Sequence, residues 1–125
     1  MTDVLFVFLG GGLGSVSRYG ISRLSSRLFG GGFAWGTLAV NLLGCFLIGM
    51  LGGLFQREAL PLRYKPLFVA GFLGGLTTFS SYAFDTFEFM RLGEWGKAAA
   101  NIALDNVLGL VLAALGYALA SRKLL

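Results

Sequence analysis

The sequence predicts an all-α integral membrane protein of four transmembrane helices, the third broken partway across the bilayer. Three observations carry this: a very apolar composition, four long runs with almost no charge, and a glycine- and hydroxyl-rich stretch, GFLGGLTTFSSYAF (71–84), inside the third run. Of the 125 residues, 56% are hydrophobic and 13% charged, and the mean hydropathy is +0.77. A water-soluble chain of this size needs far more polar surface. The spans fall at about 4–25, 33–55, 66–90 and 98–120. Each is near the ~20 residues that cross ~30 Å of hydrocarbon at ~1.5 Å per residue. The connections are short, so residues 1–125 read as one four-helix transmembrane unit.

The composition also excludes several functions. Histidine is absent, which removes the commonest acid–base catalyst and metal ligand. Cys45 is the only cysteine and lies in an apolar run, so it builds neither a disulfide framework nor a thiolate metal site. No nucleophile stands with a base, and an enzyme is not expected. The ten basic residues are scattered between the apolar runs, where they suit membrane interfaces and not nucleic acid.

The first span opens on MTDV, acidic where a secretory signal needs Lys or Arg, and reads as a span. Its stretch LGGGLGSVSRY (9–19) has the outline of a dinucleotide loop, but Ser15 replaces the last glycine and no strand–turn–helix surrounds it. Arg18, near the end of the span, either snorkels to the headgroups or faces a wet vestibule that draws anions. In the second span, Thr37 and Asn41 are four apart and share a face. An amide in hydrocarbon must find partners, so Asn41 faces other helices or water, and its NH₂ can donate to a halide without trapping it.

The third span holds the stretch that a helix tolerates poorly. Gly74 and Gly75 weaken it, and the Thr77 and Thr78 hydroxyls compete for backbone groups. A break there frees carbonyls, which suit a cation, and starts a new helix whose N-terminus draws an anion. The alternative is an intact, kinked helix with locally bonded hydroxyls. Phe79 and Tyr82, three apart, share a face beyond the break; ring edges carry partial positive charge that an anion can use. The fourth span contains one charge, Asp105.

Four spans place both termini on one side. That side has Arg57, Arg63, Lys65, Arg122 and Lys123; the other has Arg18, Arg23, Arg27, Arg91 and Lys97. Topology normally follows a basic excess, and here the count is tied. Either Arg18 belongs within the span and short loops give uninformative counts, or chains insert both ways and pair head to tail. Glycines four apart, Gly10/Gly14, Gly49/Gly53 and Gly71/Gly75, would allow close helix approach.

The stretches GGLGSVSRY, WGTLAVNLLGCFLIG and GFLGGLTTFSSYAF resemble, in order and spacing, the Fluc/CrcB family of fluoride channels, across essentially the full chain. The resemblance implies four-helix subunits forming an antiparallel, dual-topology homodimer in the bacterial inner membrane, with two fluoride pores and a structural Na⁺ at the dimer interface. It implies passive export of cytoplasmic fluoride. Carried over by position, Gly74 and Thr77 would hold the sodium through backbone carbonyls. Asn41 would line each pore, with Thr37, Ser80 and Ser81 on its polar track, and Arg18 would sit at the vestibule. Phe79 matches the first of two pore phenylalanines; the second position is Tyr82, which keeps the ring edge and adds a hydroxyl.

Asp105 departs from the family pattern, standing where a small hydroxyl residue is familiar and where a carboxylate would repel fluoride. Burial, pairing with Asn101 or Asn106, or a turn away from the pore would each resolve that conflict. The rival reading makes Asp105 the proton-exchanging group of a small dual-topology, proton-coupled exporter. A third reading is a non-transporting assembly protein.

Overall fold

The computed structural model describes residues 1–121, so Arg122 and Lys123 of the charge tie lie outside the described residues. Helix α1 is Thr2–Phe29 and α2 is Trp35–Gln56. The third span is divided. Helix α3 runs over Pro66–Leu73 and is continued by Gly74–Leu76; α4 is Phe79–Arg91. Helix α5, Trp95–Ser121, forms the fourth span. The four spans, counting α3 and α4 together, are each long and apolar enough to cross a membrane.

Local chemistry sets the ends. Gly30 closes α1 at φ 77°, a conformation open to glycine at little cost, and its N–H returns to the Ser26 carbonyl at 3.0 Å. Pro66 opens α3 at the position where a missing N–H does no harm. Gly93, at φ 75°, turns the chain from α4 into α5. The ion pairs Arg91–Glu88 and Lys97–Glu94 flank that turn at 2.7 and 2.9 Å. Aromatic residues gather near both ends of the bundle, as membrane interfaces favour. Phe29, Phe33, Trp35 and Phe89 meet near one end, and Phe6, Tyr64 and Phe68 near the other.

Two helix pairs make the bundle, α1 against α3 and α2 against α5. The glycines that the sequence spaces four apart lie at these contacts. A Cβ on Gly71 would come 3.0 Å from the Gly10 Cα, and one on Gly75 would come 2.5 Å from the Gly11 carbonyl oxygen. On the other pair, Gly49 abuts the backbone of Ala113 and Gly116 abuts that of Phe46. Backbones packed this closely gain the dispersion contacts that replace a hydrophobic driving force in lipid.

The small core of Val40, Leu73 and Leu76 sits next to the division of the third span. Elsewhere the helices are largely uncovered: α1 buries only Gly10, Gly14 and Ser25. Its outward Val4, Phe8 and Val16 are each more than two-thirds exposed. In a bilayer these surfaces meet lipid or another protein.

Candidate functional site: a groove at the helix break

The helical path ends after Leu76. Thr77 (φ −83°, ψ 155°) and Thr78 (φ −148°, ψ 106°) are extended, and Phe79 begins α4. Of the two glycines and two threonines singled out from sequence, the threonines form the interruption, while Gly74 and Gly75 stay helical in the turn before it. Polar side chains seal it locally. Thr77 Oγ1 donates to the Leu73 carbonyl at 2.9 Å. Thr78 caps α4, its Oγ1 accepting from the Ser81 N–H at 3.2 Å and donating to Ser81 Oγ at 3.0 Å. Ser80 Oγ lies 3.3 Å from the same hydroxyl.

The tertiary seal is Asn41. Its Oδ1 accepts from the Thr78 N–H at 2.8 Å, while its Nδ2 donates to the Thr78 carbonyl at 3.3 Å. A side-chain amide here pairs with a peptide group at two points, much as a neighbouring strand would. The arrangement answers the requirement that backbone polar groups in hydrocarbon be satisfied within the protein.

The interruption also frees backbone carbonyls. In a continuous helix the N–H groups of residues 78–81 would go to the carbonyls of residues 74–77. The Thr78 N–H goes to Asn41 and the Ser81 N–H to the Thr78 hydroxyl. The carbonyls of Gly74, Gly75, Leu76 and Thr77 thus all lack the amide that a helix would bring them.

Beside the break lies a groove of about 430 Å³. Asn41 and Cys45 of α2 line it, with Gly74, Thr77 and Thr78 at the break, Phe79 and Tyr82 of α4, and Asp105 and Asn106 of α5. The last two project from a π-helical turn, Leu104–Leu108, a distortion that frequently marks functional positions. Phe79 and Tyr82 rings are 5.4 Å apart at 44°. The Phe79 ring is 78% exposed in the single chain. Asn106 Nδ2 donates to Tyr82 Oη at 3.1 Å and to the Ile102 carbonyl at 2.8 Å.

The other expected residues are placed as follows. Thr37, one turn from Asn41, donates to Asp85 Oδ2 at 2.7 Å. Arg18 lies on α1 and is not among the described residues lining the groove. Asp105 accepts from Asn41 Nδ2 through Oδ1 at 2.9 Å, and its Oδ2 is buried without a partner among the described residues. The asparagines weighed as its partners bond elsewhere, Asn101 to Thr86 and Asn106 to Tyr82. Sequence reasoning missed Thr78 as the hub of the break. The signal was present in the spacing Thr78-x-x-Ser81, where a hydroxyl can cap the N–H three residues on.

Four apolar spans and a divided third span, with Asn41, Thr78 and Asp105 among the residues lining the groove beside it, define a multi-pass membrane protein. The family model described as "CrcB-like protein, Camphor Resistance (CrcB)" matches residues 5–117. A protein named "Fluoride-specific ion channel FluC" from Shewanella oneidensis is 41% identical over 124 residues, covering 99% of this chain and 100% of the relative. One of the same name from Dehalococcoides mccartyi is 38% identical over 122 residues, covering 97% and 94%. Another, from Shewanella woodyi, is 41% identical over 124 residues. The chain belongs to the Fluc/CrcB family. It is a multi-pass protein of the bacterial inner membrane, and its relatives are named as channels, not enzymes.

Proposed function

We propose that this chain is a fluoride-selective channel that lets cytoplasmic fluoride leave passively, and that it works as an antiparallel, dual-topology homodimer with two pores. The observation that carries the reading is the interrupted third span, sealed by Asn41 and bordered by the Phe79–Tyr82 pair, in a chain of this family.

The obstacle for fluoride is dehydration. It is small and holds water tightly, so a wide pore would pass chloride at least as well. A narrow track must replace that water with several weak donors in series, since conduction requires release as well as binding. In this reading the Asn41 amide, the Ser80 and Ser81 hydroxyls and the ring edges of Phe79 and Tyr82 form that track, with Thr37, whose one O–H goes to Asp85, on its flank. Arg18 concentrates anions at its mouth. The exposure of Phe79 supports pairing, because a second copy would cover a ring that the single chain leaves bare. The tied basic residues agree with insertion both ways.

The carbonyls of Gly74 and Thr77 would hold a sodium ion, which would offset the dipoles left by the break. Both carbonyls are among the four, of residues 74–77, that lose a helical amide at the break, and carbonyl oxygens suit a hard cation. The test is efflux from liposomes containing the purified protein, read with a fluoride electrode beside a chloride control. Rapid fluoride loss with chloride retained is the expected result. Liposomes tight to fluoride, or equally leaky to both ions, would overturn the reading.

A further inference from the structure

The hydrogen bonds of Asn41 lead to a conclusion about Asp105. An Asn amide has two N–H donors and one carbonyl acceptor. The acceptor and one donor are committed to the Thr78 peptide, the N–H at 2.8 Å and the carbonyl at 3.3 Å. That pairing closes the break, and giving it up would leave backbone polar groups unsatisfied among apolar side chains. The remaining donor faces the groove and is held by Asp105 Oδ1 at 2.9 Å. Any anion that is to use Asn41 must take the place of that oxygen.

The Asp105 carboxyl is held through one hydrogen bond among the described residues. Its second oxygen is buried without a partner among the described residues, so the contact with Asn41 is the hydrogen bond seen for this carboxyl group. Both residues line the same groove with Phe79 and Tyr82. A carboxyl oxygen and a halide are the same kind of ligand for an amide N–H, each an acceptor drawn to the positive end of the bond.

We propose that Asp105 is a tethered competitor of the permeating anion: it occupies the Asn41 donor between passages and lowers the rate at which the halide enters that position. The proposal rests on the fluoride-channel reading, and adds to it a residue that limits the rate.

The experiment compares fluoride efflux from liposomes holding the full-length wild type, Asp105→Ser, Asp105→Ala, and Asp105→Ser combined with Asn41→Ala. Serine is too short to hold the Asn41 amide as aspartate does. The expected result is about tenfold faster efflux for Asp105→Ser, the equivalent of releasing one hydrogen bond. The rate should also saturate at lower fluoride concentration, which a loosened fold would not produce. The gain should vanish in the double variant. If Asp105→Ser does not reconstitute, Asp105→Ala, which has no acceptor at all, decides: a faster rate supports the proposal, and an equal or slower one overturns it. A conducting wild type with Asp105→Ser no faster overturns the proposal and leaves the fluoride reading intact. If neither wild type nor any variant moves fluoride, both fall together.

Discussion

Asn41 closes the interruption of the third span and, in the proposed reading, also meets the ion. Its amide replaces the strand partner that the extended Thr78 would otherwise lack, and the same group points its last donor into the groove. Phe79 and Tyr82, whose rings pack 5.4 Å apart on α4, are proposed to offer the ion their edges. Replacing Phe79 with Ile removes an edge while keeping an apolar side chain, and fluoride efflux from proteoliposomes should nearly cease. Tyr82→Phe should behave otherwise. The edge is kept, and Asn106 retains the Ile102 carbonyl as acceptor when the hydroxyl goes. Efflux should stay close to wild type, with a stability change of roughly 1 kcal/mol or less in denaturant titrations. A large loss of flux would show that the hydroxyl, not the ring, meets the ion.

The divided third span was the most legible element. Two glycines followed by two threonines weaken a helix wherever they stand, so the position of the break could be read locally. What seals the break could not be. Asn41 is 37 residues from Thr78 and 64 from Asp105, and local pattern carries no information on pairing at that range. For the same reason Asp105 could be recognised as anomalous while its partner could not be named. The π-helical stretches at Pro66–Leu73 and Leu104–Leu108 also left no sign in residue type. Thr78 tests the element itself. Thr78→Ala removes the cap on α4 and should cost about 1 kcal/mol of stability in detergent, while Thr78→Ser restores most of it. Equal stability of all three would show that the hydroxyl does not hold the helix start.

Across the bundle, the spaced glycines were legible as close-packing faces, but their partners were not. They serve contacts within one chain, α1 on α3 and α2 on α5. Gly75→Val would place side-chain carbon against the Gly11 and Ser15 backbone. Overpacking of this kind costs about 1–3 kcal/mol, and the folded yield should fall. The outer faces remain available to lipid and to a second copy. With the basic residues tied, Leu92→Cys, at an exposed turn position, in a Cys45→Ala background should be labelled by a membrane-impermeant maleimide in comparable fractions from both sides of the cell membrane. Labelling from one side only would show a single orientation and remove the head-to-tail dimer.

What joins these observations is the idea that an anion crosses beside the interrupted third span by borrowing donors that also seal the interruption. The decisive measurement is fluoride efflux by Asn41→Asp, reconstituted beside wild type after both elute alike on size exclusion. The substitution keeps the shape of the side chain but replaces both N–H donors with a carboxyl oxygen facing Asp105. Near-complete loss of fluoride efflux is the expected result. Efflux at the wild-type rate would place the ion's path elsewhere and contradict the account.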